Sequence, residues 1–514
     1  MNRILATILA TGCLSSAWAA VELAPIYGDA MVLQQGKPIP ICGSTDSPRT
    51  AISVSYGGET VQAEISGKSW RAILPPMKAS SEGKPLVVQQ GKDSATLNNV
   101  VVGEVWIASG QSNMLWRLNQ TPGNRQTIEQ SANGNFRFYH SEPQVHTNRQ
   151  PYGEREKQIL KNRTMYVGKW AESSPQSSPR MSAVGYYFGQ ALQKHLQVPV
   201  GIIHVSLGGS NMMAWFPESL LKRKYPNCMG ASWLESKYAS EWVRGRAGFN
   251  VGQGGDPMLH PYAPSYLFDT GLKQWKDFPV AGVIWYQGES DAEIQDPAQN
   301  YQLLSDLISS WRDEFDNKDM PFLQVQLPRI NDKSKLRAFW PEFRQVQARA
   351  AAEMEQVHCV VTMDLGSTNS DVHPPRKIEV GERLAATAAA KVYGKDIPCS
   401  GPIISGFKAK GNSVQVRLEQ AEGLSTTNGG EPVGFELAGP DGQFHPATAE
   451  IKGKNIILKS PAVKAPKNMR YAWAVFMEPN LVNKHMLPAA PFPVCDENGN
   501  PIKKKRKKKR SSRR

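Results

Sequence analysis

Four short stretches of this chain put nucleophile, base and hydrogen-bond-donor types directly after apolar runs. Trp106-Ile107-Ala108 gives way to Ser109-Gly110-Gln111-Ser112-Asn113, and Val200 to Val205 to Ser206-Leu207-Gly208-Gly209-Ser210-Asn211. Gly282 to Tyr286 is followed by Gln287-Gly288-Glu289-Ser290-Asp291, and Val360 to Met363 by a polar segment from Asp364 to His373. Ester hydrolysis needs a nucleophile, a base that later acts as an acid, and donors aimed at a developing oxyanion. Ser112, at a strand-to-helix turn, would stand exposed with its own N–H beside the oxyanion position. Gly208-Gly209 would offer bare backbone N–H groups, Gln287 a side-chain amide, and His373 an imidazole suited to moving protons near neutral pH. Plainer structural roles fit the same residues. Ser112 is a good N-cap for a helix starting near Met114, Gly208-Gly209 reads as a turn, and His373 precedes two prolines as a rigid loop residue would. Asp364 and Asp371 lack a second histidine nearby, so no metal site is expected. The chemistry calls for no cofactor, and chelation should not inhibit it.

The elements that would carry these stretches follow from periodicity. From Val21 to about Asn99 the pattern has period two: Ile52, Val54 and Tyr56 alternate with serines, Gly57-Gly58 turns the chain, and Val61, Ala63 and Ile65 alternate again. That is an antiparallel β domain. In the middle, Ser182 to Leu196 places Val184, Tyr187, Phe188, Ala191, Leu192 and Leu196 on one helical face. The near-continuous apolar strand from Val200 follows, and Pro341 to Met354 reads as another helix between strands. Strands alternating with helices imply a parallel sheet covered on both faces, with ligands at the carboxyl ends of its strands. From about Ser400 the period returns to two. The fold expected is α/β, with an N-terminal β domain over 20–99, a catalytic domain over 100–398 and a second β module over 399–501.

Composition narrows the function classes. The net charge is +14, but ten positive charges lie in the last twelve residues, KKKRKKKRSSRR, so the body is close to neutral. A nucleic-acid binder is not expected. The first residues, MNRILATILATGCLSSAWAA, carry Arg3, a short apolar stretch and Ala17-Trp18-Ala19, which is the form of an export signal cleaved after Ala19. The protein is thus expected to be periplasmic or extracellular, and the basic tail, residues 502–514, suits attachment to anionic surfaces. Five cysteines remain beyond the leader, too widely spaced for a paired-cysteine zinc site. Export permits a disulfide or two, though five leave at least one thiol unpaired.

Several blocks closely resemble, in order, those of the sialate O-acetylesterases, which belong to the SGNH-type hydrolases near the acetylxylan esterase branch of carbohydrate esterases. They are GEVWIASGQSNM, SAVGYYFGQALQKHLQVPVGIIHVSLGGSNMMAW, GVIWYQGESDA and DVHPPRKIEVGERLA, with flanks MVLQQGKPIPICG and RYAWAVFMEPNLVNKHMLPAAPF. The resemblance spans almost the whole chain between leader and tail. It implies Ser112 as nucleophile, His373 as base, and Gly209, with Gly208 and Gln287, completing an oxyanion hole with the Ser112 N–H. The third triad member is where the pattern frays. The usual acid position, three before the histidine, holds Ser370. Asp371 lies two before and reaches the ring only if the loop bends, with Glu289 as the rival acid. Ser210 and Met486 stand where the family usually has threonine and glycine. The implied substrate is an O-acetylated sialic acid, whose carboxylate would favour an arginine; Arg117 and Arg376 are the candidates, with Asn113 a further substrate contact. An acetylxylan-type esterase and a non-catalytic glycan-binding protein are the rival readings.

Overall fold

The computed structural model describes residues 21–493, so the leader, the basic tail and Cys495 lie outside the described residues. Seven strands form the central layer: β1 (Asp93–Gly110), β2 (Asn133–Pro143), β3 (Tyr166–Ser173), β4 (Val200–Ser206), β5 (Gly282–Tyr286), β6 (Phe322–Val325) and β7 (Val357–Val360). They lie in the order β3-β2-β4-β1-β5-β6-β7. Every neighbouring pair is parallel except β2 and β3, which are antiparallel at the edge. The helices used below are α1 (Ser112–Leu115), α2 (Ala183–Leu196), α3 (Glu241–Val251), α4 (Glu289–Ala292), α5 (Pro297–Glu314), α6 (Trp340–Glu353) and α7 (Lys377–Lys391).

Successive side chains of a strand point to opposite faces, and here both faces are buried. Trp106, Ala108, Ile202 and Ile284 pack under α2 and α7, against Val184, Phe188, Leu384 and Ala388. Their neighbours Val105, Ile107, Ile203 and Val283 pack the other way, in one core with Leu303 and Trp311 of α5 and Val346 of α6. Each such aliphatic side chain contributes about 1.5–3 kcal/mol of burial. Helix α2 begins at a side-chain cap, since Ser182 Oγ accepts from Gly185 N at 3.0 Å.

One expected domain break lies within a strand, and one expected strand is shifted. The break between the β domain and the catalytic domain falls inside β1, a single strand of 18 residues. Its first half pairs antiparallel with Ser80–Gln90, and its second half runs parallel with β4 and β5. The strand expected over Val360 to Met363 is instead Val357–Val360. Beyond it the Thr362 hydroxyl turns back to donate to the Gln326 carbonyl at 2.6 Å, and the chain enters a short 3-10 turn over Met363–Leu365.

The N-terminal hairpin joins Ile52–Tyr56 to Glu59–Gln62. At the C-terminal end, Ile403–Lys410, Ser413–Glu419, Asn455–Lys459 and Thr448–Lys452 form an antiparallel sheet around Val414, Val416, Ile456 and Leu458. Met486, in place of the family's glycine, adopts φ +57°. Cys42, Cys228, Cys359 and Cys399 are all free thiols, so none of the disulfides that export permits forms among the described residues.

Gly110 ends β1 at φ +141°, and a Cβ there would lie 2.1 Å from the Tyr286 carbonyl oxygen. Both the backbone conformation and the close approach of β5 require glycine. Gly110→Ala should lower the free energy of unfolding by about 2 kcal/mol or more, read as a reduced urea midpoint.

Candidate active site

The serine turn is built where β1 leaves the sheet. Gln111 occupies the cap position of α1, and Ser112 is the first helical residue, so the serine is not the N-cap. The Gln111 N–H donates to the Tyr286 carbonyl at 3.0 Å. Its side-chain oxygen accepts from the N–H groups of Gly288 and Ser290, at 3.3 and 3.4 Å. The turn is thereby fastened to the segment after β5. Gln111, Asn113 and Met114 are buried, whereas Ser112 between them is partly exposed.

The loop after β4 lies against this serine. A Cβ at Gly208 would be 3.6 Å from Ser112 Cβ. The Gly208 carbonyl accepts from the Tyr262 hydroxyl at 2.8 Å and the Thr147 hydroxyl at 3.3 Å, while Gly209 O accepts from Ser290 Oγ at 3.0 Å. Gly209 sits at φ +71°, with the Tyr262 hydroxyl 2.1 Å from where a Cβ would be. With their carbonyls held, the N–H groups of Ser112, Gly208 and Gly209 donate to no group among the described residues. All three residues are partly exposed.

Gln287 is placed differently from the expectation. It is buried, and its amide nitrogen donates to the Ser210 carbonyl at 3.2 Å and to the Asp291 carboxylate. Both amide hydrogens are engaged, so Gln287 braces the loop rather than displaying a free donor. Asp291 also accepts from Met212 N at 3.1 Å, and burial pushes its carboxyl up to about 7.

The histidine segment bends as the Asp371 assignment requires. Asp371 Oδ1 accepts from His373 N at 2.9 Å and lies 3.1 Å from His373 Nδ1, a side-chain-to-backbone turn that also orients the ring. Glu289 is not at the histidine; its carboxylate accepts from Asn113 Nδ2. The same Asn113 nitrogen donates to the Val372 carbonyl at 2.9 Å, and Asn113 Oδ1 accepts from Lys377 Nζ. Asn113 is therefore no substrate contact: it is fully buried and committed to three partners. The Trp116 ring stacks on His373 with centroids 5.3 Å apart, and Lys377 Nζ lies 5.7 Å from the Trp116 centroid. These contacts join the turn that carries Ser112 to the segment that carries His373, with no direct hydrogen bond between the two side chains. Catalytic hydrogen bonds are often long before substrate binds. Burial holds the His373 pKa below its ordinary value, opposed by Asp371. Burial also lowers Lys377 to about 7 and raises Glu289.

Both candidate arginines are already paired. Arg117 binds Glu142, on which His140 Nε2 also converges at 2.8 Å, and Arg376 binds Glu379 at 2.7 Å. Residues not singled out from the sequence, Trp116, Thr147, Tyr262, Asp291 and Lys377, supply much of the support. Lys377 and Trp116 lie within four residues of His373 and Ser112, which was the available signal. Thr147 and Tyr262 carried none.

The chain is similar to known esterases over most of its length. The pattern of the family described as "Carbohydrate esterase, sialic acid-specific acetylesterase" matches residues 249–390. A crystal structure of a carbohydrate acetylesterase from Xanthomonas citri superposes with a TM-score of 0.76 at 30% identity, covering 92% of this chain and 99% of that one. Sialate O-acetylesterases of Homo sapiens and Mus musculus are 26% and 24% identical over 432 residues, 76% of this chain and 74% and 76% of theirs. The chain belongs to the sialate O-acetylesterase family of carbohydrate esterases and is a carboxylic ester hydrolase.

Proposed function

We propose that this protein is an exported SGNH-type serine esterase that removes O-acetyl groups from sialic acids, with Ser112 as nucleophile, His373 as base and Asp371 as the acid that orients it. The observation that supports the mechanism is the Asp371–His373 pairing, on a segment bound through Asn113 and Trp116 to the turn of a partly exposed Ser112, with the N–H groups of Ser112, Gly208 and Gly209 unengaged. His373 takes the Ser112 hydroxyl proton as Oγ bonds to the acetyl carbonyl carbon. The N–H groups of Ser112, Gly208 and Gly209 face the oxyanion that forms. The tetrahedral species collapses, the carbon–oxygen bond to the sugar breaks, and His373 returns the proton to the departing sugar oxygen. Water, deprotonated by His373, then cleaves the acetyl-serine to acetate and restores the hydroxyl.

Sialic acid as the substrate is supported by the family description and by the named mammalian relatives. The Xanthomonas citri relative is described only as acting on carbohydrate, which keeps acetylated xylan as the second reading. The leader supports export, and the tail Lys503 to Arg514 is read as an electrostatic attachment to anionic surface.

Ser112→Ala should abolish p-nitrophenyl acetate hydrolysis in a folded protein, a loss of about 10³-fold or more. Activity equal to wild type would leave Ser112 a purely structural residue.

The pH profile separates the two carboxylates. His373 must be neutral to act as base, so activity falls as pH drops through its pKa, which lies below 6.5. Asp371 raises that pKa directly, whereas the Glu289 carboxylate is bonded to Asn113 and not to the ring. Asp371→Asn should therefore move the acid limb of kcat/KM to lower pH as well as slow the reaction, and Glu289→Gln should leave the limb in place. The opposite pattern would transfer the orienting role to Glu289.

Deleting Lys503 to Arg514 should leave turnover of small esters unchanged while weakening salt-sensitive adsorption to anionic polysaccharide. Lost turnover on the small ester would refute the attachment role.

A further inference from the structure

An arginine that no sequence motif marks lies on the far side of the Gly208-Gly209 loop. Helix α3 starts at its cap Ser240, whose Oγ accepts from Val243 N at 3.3 Å. It presents Trp242 and Arg246, four residues apart and so on one face. The Trp242 ring edge packs on Gly209: its outer carbon would lie 2.8 Å from a Cβ there. The Arg246 guanidinium sits over the same ring, 5.1 Å from its centroid. One guanidinium N–H donates to the Thr147 carbonyl at 2.5 Å. The Thr147 hydroxyl in turn contacts the Tyr262 hydroxyl at 2.5 Å and the Gly208 carbonyl at 3.3 Å. The guanidinium is therefore tied by two short paths, through Trp242 and through Thr147, to the loop beside Ser112.

Its charge is unanswered. Arg117, Arg337, Arg376, Arg383 and Arg470 each bind a carboxylate directly. Arg246 has no carboxylate oxygen within 4.0 Å among the described residues, and of its five N–H donors one is used. The titratable groups that face it are Tyr152, Tyr262 and His260. Burial keeps both phenols un-ionised and pushes His260 down to about 3, so all three are neutral. Arg246 and Trp242 are only partly buried, so the remaining donors are accessible. A fork of free N–H groups on a partly desolvated, uncompensated guanidinium matches a planar carboxylate.

We propose that Arg246 binds the carboxylate of the acetylated sugar acid, with Trp242 as the wall between that carboxylate and the acetyl group at Ser112. This rests on the sialic acid reading above. It replaces Arg117 and Arg376, whose charges are already matched, as the residue that selects an acidic over a neutral glycan.

The test uses the full chain, wild type and Arg246→Gln, with Arg246→Lys as the conservative variant. Each is assayed on O-acetylated N-acetylneuraminic acid, on the carboxyl methyl ester of the same compound, and on p-nitrophenyl acetate. Wild type should favour the free acid over its methyl ester. Arg246→Gln should raise KM for the free acid by ~10–100-fold with little change in kcat, and erase the preference. Arg246→Lys should restore part of it, and p-nitrophenyl acetate turnover should be unchanged in all three. If Arg246→Gln lowers all three activities equally, Arg246 only supports the loop and the inference falls. If wild type hydrolyses the free acid and its ester alike, the inference falls while the sialic acid reading stands. If wild type cleaves p-nitrophenyl acetate and acetylated xylan but not the acetylated sialic acid, the substrate reading itself falls, and the inference with it.

Discussion

The buried carboxamide of Asn113 joins the three chain segments on which the site depends. Its nitrogen donates to Glu289, which opens α4, and to the Val372 carbonyl, one residue before His373. Its oxygen accepts from Lys377 at the start of α7. Because Asn113 follows Ser112 directly, the Val372 and Lys377 bonds fix the serine turn relative to the histidine segment, and the Glu289 bond fixes it relative to α4. An amide suits this position because one end donates twice while the other accepts. Aspartate could not donate to Glu289 or Val372, and a hydrophobic residue would leave Glu289 and Lys377 buried without a partner, at a cost of several kcal/mol.

The sheet explains why such a small linkage suffices. β1, β4 and β5 are buried on both faces, so their polar chemistry can only appear where the strands stop. They stop in register: Gly110 lies beside both Ser206 and Tyr286. The serine turn, the Gly208-Gly209 loop and the Gln287 segment therefore leave the sheet at one level. What remains is angular, and backbone anchors supply it. Gln111 N bonds the Tyr286 carbonyl, Gln111 Oε1 receives Gly288 and Ser290, and Ser290 Oγ reaches Gly209. The histidine comes from beyond the sheet's last strand, β7, and needs the longer bridge through Asn113 and Trp116.

The strand ends were legible because periodicity and the stop of an apolar run are local signals. Ser112, the two glycines and His373 stand out on that basis, whereas the reach of Asp371 depends on a bend that spacing does not encode. The turn, in which one carboxylate oxygen serves both the His373 N–H and its ring, is visible only in three dimensions. Gln287 was misjudged for a related reason: a glutamine at a strand end looks like a donor, and its partner Asp291 lies four residues on, inside α4. Arg117 and Arg376 looked free because Glu142 is remote in sequence and a neighbouring acid such as Glu379 need not pair. Arg246 was invisible. Nothing near it in sequence is catalytic, and Trp242 reaches Gly209 only through the fold.

The electrostatics give Glu289 and Asp371 different work. Asp371 has a side chain 55% exposed, and its Oδ1 lies on both the backbone N–H and the ring of His373. Glu289 is buried among polar partners, with one carboxylate oxygen on Asn113 and the other without any partner. Its pKa is raised by that burial, while the nearby Lys377 is lowered to about 7, so each group's charge depends on the other's. A carboxylate that must respond to a buried amine is poorly suited to answering a histidine during turnover. It is well suited to holding Asn113 in one orientation, because only the amide nitrogen can face the acid while the oxygen faces the amine. The buried pair thus sets the geometry, and in the proposed mechanism it is the exposed acid that would follow the charge on His373.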